Sequence, residues 1–138
     1  MASGCPPASA DRTALIYLGL RISYARLKDW SERFAGALQQ IGVGKGDRVA
    51  ALLPKMPELV ITTLAVWRLG AAYVPLFTAF GADAIDHRVG DSGAKVLVTN
   101  TDQRPKLSDT ACCKKGGVDV VTIAEACGRG IEKGDYSF

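Results

Sequence analysis

The chain has 138 residues, 48% hydrophobic and 22% charged, a balance that excludes a disordered polypeptide and supplies about one domain or part of a larger one. Its formal net charge of +3 comes from scattered lysines and arginines with no run of five, which argues against a nucleic-acid partner. No basic end followed by an apolar stretch opens the sequence, and the most apolar region, residues 59–85, is broken by Arg68, Gly70, Pro75 and Gly81, so neither a secretory signal nor a membrane span is expected.

Residues 1–10 are small and include two prolines, which predicts a loose tail. Ala14–Tyr17 and Leu20–Ser23 read as two short strands around Leu18-Gly19, a hairpin-like pair. Ser23 is then a suitable N-cap, because its hydroxyl can accept from an unpaired amide of the first helical turn. Leu27, Trp30, Phe34, Leu38 and Ile41 follow at steps of three, four, four and three, which keeps all five on one helical face. Burying such a face contributes about 7–15 kcal/mol before chain entropy is counted. Gly42 ends this helix.

Gly42-Val43-Gly44-Lys45-Gly46-Asp47 superficially suggests a phosphate loop. A phosphate loop, however, leads from a strand into a helix so that helix N-terminal amides face the anion. Here the glycines leave a helix and enter a strand, so the segment reads as a tight turn ordered by Asp47. Arg48–Leu53 (RVAALL) has the near-continuous apolar character of a parallel strand covered on both faces, and Pro54 stops it.

Pro57 and Glu58 suit the opening of a helix, and Leu59–Leu69 is apolar nearly all round, which predicts a deeply buried helix ended by Gly70. Ala72–Leu76 predicts a second buried strand, Ala82–Arg88 a short helix closed by residues 89–93, and Lys95–Thr99 a third strand. Ser108–Gly117 is polar and unpatterned, as in a surface loop, and Val118–Ile123 predicts one more strand. Strands alternating with helices point to an α/β fold with a mostly parallel sheet flanked by helices and right-handed crossovers.

Other chemistry-bearing residues receive plain structural readings. Cys5, Cys112, Cys113 and Cys127 lack disulfide-scaffold spacing and contain no CxxC, which fits reduced thiols in a cytoplasmic protein. The single histidine, His87, lies far from them in sequence, so no metal site is expected and no nearby nucleophile awaits activation. Nothing around Cys112-Cys113 argues for a lowered thiol pKa. Trp30 and Trp67 follow apolar faces and read as core or interface residues.

Four blocks, ISYARL (Ile22–Leu27), GVGKGDRVAALLPKMPEL (Gly42–Leu59), RLGAAYVPLF (Arg68–Phe77) and DSGAKVLVT (Asp91–Thr99), stand in an order and spacing that resemble the N-terminal part of the AMP-forming acyl-CoA synthetases. These belong to the adenylate-forming superfamily, and the resemblance covers residues 13–107. Phe77-Thr78-Ala79-Phe80-Gly81-Ala82 followed by DAIDHR looks more like the acetyl-, propionyl- and medium-chain branch than like the adenylation domains or coumarate-type ligases.

The resemblance implies a two-step reaction. A carboxylate attacks the α-phosphate of ATP to give an acyl-adenylate and pyrophosphate, and the thiol of coenzyme A (CoA) then displaces AMP. It therefore implies ATP, Mg²⁺, CoA and a small-molecule carboxylate for the full enzyme, with none of the cofactors assigned to this chain alone. The family's phosphate loop ends in Pro-Lys-Gly, but here Pro54-Lys55 continues as Met56 and Pro105-Lys106 as Leu107. No Thr-Gly pair is present, and no catalytic residue transfers. The resemblance places basic CoA-nucleotide contacts just after the strand matching KVLVT, which points to Arg104 and Lys106 in TDQRPKL. An arginine fork suits a phosphate or stacks on adenine, and lysine supplies a point charge. Against this stands the reading of two solvated surface charges.

The expected organisation is a flexible tail over residues 1–12 and a partial AMP-binding domain over 13–138, the N-terminal scaffold of a ligase of fatty-acid metabolism, inactive by itself. The alternative is a free-standing, non-catalytic interaction or ligand-binding module, completed by a missing C-terminal portion or a separate subunit.

Overall fold

A computed structural model describes residues 7–123. The part of the expected tail that precedes residue 7 lies outside the described residues, as do Cys5, Cys127 and residues 124–138. Pro7–Ala10 form a single helical turn, α1, where the sequence suggested no structure. Its exit is pinned by a hydrogen bond from the Arg12 amide to the Ser9 carbonyl, and the Tyr24 amide donates to the Arg12 carbonyl.

β1 (Thr13–Tyr17) and β2 (Leu20–Ser23) pair antiparallel as expected, with Leu18 at φ 47° and Gly19 at φ 81°. Two successive left-handed residues are what a tight hairpin turn requires, and Leu18 carries the conformational cost of standing where asparagine is preferred. α2 (Tyr24–Gln40) starts at Ser23, whose Oγ accepts from the Arg26 amide at 3.3 Å, and turns out at Gly42, φ 95°.

The main sheet contains β3 (Arg48–Leu52), β4 (Ala72–Leu76), β5 (Val96–Asn100) and β6 (Asp119–Ile123), all parallel, in the order β4-β3-β5-β6. Alternation along each strand divides the core between two faces. Val49, Ala51, Val96, Val98, Val121 and Ile123 meet α2 and α3 (Pro57–Arg68). On the other side Ala50, Leu52 and Leu97 meet Ile85 and Val89 of α4 (Ala82–Ser92). α2 and α3 are joined at Ser31, whose hydroxyl donates to the Lys28 carbonyl at 2.9 Å and accepts from Arg68 Nε at 3.0 Å.

Four expectations change. α3 is not buried all round: Trp67 is 62% exposed, because only the Ile61, Thr62, Ala65 and Val66 side faces the sheet. β4 is an edge strand with one buried residue, Leu76, and this is where Pro75 is tolerated. α4 runs to Ser92, through Gly90, and closes only at Gly93, φ 63°. Ser108–Gly117 is not wholly an open loop: the 3₁₀-helix Arg104–Asp109 runs into it and the single turn α5, Ala111–Lys114, follows, so that only Thr110 and residues 115–117 of that segment lack helix or strand. Leu107 anchors the 3₁₀-helix in the second core, and Asp86 of α4 accepts from the Ala111 and Cys112 amides at 2.7 and 2.8 Å.

Candidate functional site

Register brings the strand ends level: Leu52 pairs with Leu76 and with Thr99, and Asn100 with Ile123. The connection leaving β3 passes to α3 on one face, whereas the connection leaving β5 passes to the 3₁₀-helix on the other. Neighbouring parallel strands whose exits diverge open a crevice at their carboxyl ends, where α/β proteins bind ligands. Here the diverging ends are Leu52–Met56 and Asn100–Gln103, and that rule assigns the crevice to the space between them.

Its floor is ordered by hydrogen bonds. Thr99 Oγ1 donates to the Leu52 carbonyl at 3.1 Å, tying the ends of β3 and β5. Asn100, 1% exposed, accepts at Oδ1 from the Gln103 amide at 3.0 Å, and its Nδ2 reaches Met56 Sδ across the crevice at 3.9 Å. Gln103 Oε1 is buried and has no hydrogen-bond partner among the described residues. An acceptor left in that state is costly, so this atom is suited to a donor brought from outside. Met56 also borders an apolar groove of about 310 Å³ lined by Leu15, Tyr17, Pro57 and Val60, with the exposed Lys55 at its rim.

Arg104 and Lys106 both stand at this carboxyl edge, exposed, on the 3₁₀-helix. They are not brought together. Arg104 Nη1 donates to Thr122 Oγ1 of β6, and Lys106 Nζ donates to the Thr78 carbonyl in the segment after β4. Since β4 and β6 are the two outer strands, the cations bracket the crevice instead of gripping one point. Both now engage uncharged acceptors, which an anionic phosphate oxygen outcompetes.

The glycine-rich turn lies at the opposite, amino edge of the sheet. There Asp47 Oδ2 accepts from the Gly44 amide at 2.8 Å and pairs with Lys95 Nζ at 3.4 Å, while Lys95 also donates to the Gly42 carbonyl at 2.6 Å. The Gly44 amide, with help from Lys95 and against the effect of burial, holds the Asp47 carboxyl below its ordinary value. This network orders the turn, as the sequence suggested. His87 is exposed, and no group of three His, Cys, Asp or Glu side chains gathers to hold a metal among the described residues.

Asn100, Gln103 and Met56 were not singled out from the sequence. An asparagine placed directly after the buried run VLVT was the available signal, because a polar side chain at that position sits on the carboxyl edge.

Residues 6–133 match the family described as AMP-binding enzyme. The acetyl-coenzyme A synthetase of Streptomyces avermitilis is 39% identical over 134 residues, spanning 88% of this chain and 21% of that protein. The 3-hydroxypropionyl-coenzyme A synthetase of Sulfurisphaera tokodaii is 46% identical over 78 residues, 56% of this chain and 12% of that protein. Among solved structures, the acyl-CoA synthetase of Brucella canis superposes with a TM-score of 0.71 at 44% identity, over 84% of this chain and 20% of that one. MatB of Rhodopseudomonas palustris superposes with a TM-score of 0.75 at 32% identity, over 84% of this chain and 23% of that one. The matched segment thus spans only 12–23% of the length of these relatives.

Proposed function

The chain belongs to the AMP-binding enzyme family, and on that footing we propose that it is the N-terminal part of a cytoplasmic, ATP-dependent, AMP-forming ligase joining a short- or medium-chain carboxylic acid to CoA. The observation that carries this reading is the 39% identity with an acetyl-coenzyme A synthetase over 134 residues, supported by the 44% identity with an acyl-CoA synthetase of the same fold. The overall change is carboxylate, ATP and CoA to acyl-CoA, AMP and pyrophosphate.

The described residues do not fit ATP phosphates or Mg²⁺. Among the described residues, the Gly42–Asp47 turn enters a strand at the amino edge, and no group of acidic side chains gathers to hold a cation. These groups are assigned to the parts of the enzyme that the relatives carry beyond this segment, and no step is derived through them.

CoA fits better. Arg104 and Lys106 are exposed cations beside a crevice at the carboxyl edge, and they would hold phosphates of its nucleotide portion, one toward β6 and the other toward the segment after β4. CoA supplies the thiol that accepts the acyl group. The chain's own contribution is to keep the two cations apart on a helix seated by Leu107, so that they can take two phosphates instead of crowding one.

A chimera tests this. Residues 13–123 replace the corresponding segment of the Streptomyces avermitilis relative, and acyl-CoA formation and ATP–pyrophosphate exchange are measured. A folded chimera that forms acetyl-CoA or a longer homologue supports the reading, and a folded chimera without adenylate formation overturns it. Within the chimera, Arg104→Ala and Lys106→Ala are each expected to raise KM for CoA about tenfold, the worth of one charge-assisted hydrogen bond, and to leave ATP–pyrophosphate exchange unchanged. The 138-residue chain alone is expected to show no exchange with any carboxylate.

A further inference from the structure

Cys112 and Cys113 are adjacent on α5 and half-buried, and their Sγ atoms lie 3.8 Å apart. Successive residues of a helix point about 100° apart, so neighbouring thiols do not ordinarily converge. Here both side chains pack on the second core, and Asp86 fixes the turn by accepting from the Ala111 and Cys112 amides. The pair is therefore held in one arrangement and remains open to a small reagent.

The separation decides what the pair can hold. A disulfide draws the sulfurs to about 2.0 Å and is usually found with Cα atoms at least about 4.4 Å apart. Neighbouring residues on a trans chain stand only about 3.8 Å apart. A single thiophilic atom bonded to both sulfurs at about 2.3 Å instead spans about 3.3–3.8 Å, for bond angles from a right angle to tetrahedral. Zinc would need at least three protein ligands, and no such group gathers among the described residues. The arrangement suits a centre that two protein sulfurs satisfy, its third bond being made to a group of its own.

We propose that Cys112 and Cys113 form a two-thiol capture site for trivalent organoarsenic compounds. With the oxo form of such a compound, two S–H bonds break and two arsenic–sulfur bonds form. The oxygen leaves as water carrying both protons, arsenic remains trivalent, and no oxidant or reductant is required. Burial, with the hydrogen bond to Asp86, pushes the Cys112 thiol up to about 12, so this thiol enters the reaction protonated, as the balance requires.

The test uses phenylarsine oxide with the whole chain and intact mass spectrometry. Wild type and the Cys5→Ser/Cys127→Ser variant are expected to gain one phenylarsenic unit with loss of two hydrogens. The adduct should survive excess monothiol and be released by a small dithiol. Cys112→Ser and Cys113→Ser should each lose the monothiol-resistant adduct, lowering retention by about a hundredfold or more, as expected when a two-point attachment becomes a single one. Retention by the Cys112→Ser/Cys113→Ser double variant, its absence from wild type, or its loss in Cys5→Ser/Cys127→Ser would each overturn the assignment.

Discussion

Two aspartates show how single side chains organise this molecule. Asp47 acts over three residues, on the Gly44 amide, and its role in the turn was legible in the sequence. Asp86 reaches amides 25 and 26 residues ahead, and no local pattern announces that. Burial raises the Asp86 carboxyl, but the amides of Cys112 and Ala111 outweigh it, and the net shift is downward from 3.8. A carboxyl depressed in the folded state contributes stability that is fully present above its unfolded value and drains as pH falls through the folded one. Asp86→Asn, which offers one acceptor oxygen instead of two, should lower stability at neutral pH by about 1 kcal/mol, the scale of a lost helix cap. The gap from wild type should close as pH falls below about 4. Urea unfolding at neutral and acid pH checks this, and a gap that stays constant with pH would refute the role given to the carboxylate.

Among the elements, α4 shows where local reading stops short. A glycine in a helix weakens it, so Gly90 and Gly93 looked like one closing segment, yet only Gly93 is left-handed, at φ 63°. A Cβ at Gly93 would stand 2.9 Å from Arg48 Nη2. That guanidinium cannot move aside freely, because it donates to the Ser92, Gly93 and Gly46 carbonyls and so caps α4 from β3. Gly93→Ala should therefore cost about 1–2 kcal/mol. Gly90→Ala, with nothing within 4 Å of its Cβ, should stabilise by up to about 1 kcal/mol. Opposite shifts of the denaturation midpoint are the expected result, and shifts of the same sign would contradict it. α2, by contrast, was legible from cap to closing glycine, because its amphipathic stripe and both end signals are local.

At the scale of the whole molecule, large apolar side chains remain uncovered: Ile16, Leu18, Trp67 at 62% and Phe77 at 73% exposure. Exposed apolar area of this kind promotes association. Trp67→Ser combined with Ile16→Thr should reduce self-association in sedimentation velocity and alter thermal stability only slightly, since surface changes usually stay within about 0.5 kcal/mol. A large fall in the melting temperature would instead mean that these side chains are packed. No helix among the described residues is long and apolar enough to cross a membrane, consistent with the polar breaks seen in residues 59–85.

The sequence by itself determined the alternation of strands and helices, the ends of α2, the purpose of the Gly42–Asp47 turn and the resemblance to acyl-CoA synthetases. Each depends on periodicity, turn chemistry or motif order within a few tens of residues. Only the tertiary structure decided that β4 lies at the edge, that α3 shows Trp67 to solvent, and that Asn100 and Gln103 stand buried or half-buried where the carboxyl ends of β3 and β5 diverge. It also decided that Arg104 and Lys106 part toward opposite outer strands and that the Cys112 and Cys113 sulfurs converge. The physical reason is that strand order and side-chain convergence are set by which buried faces cover one another across the chain, and composition along a single segment holds no record of that pairing.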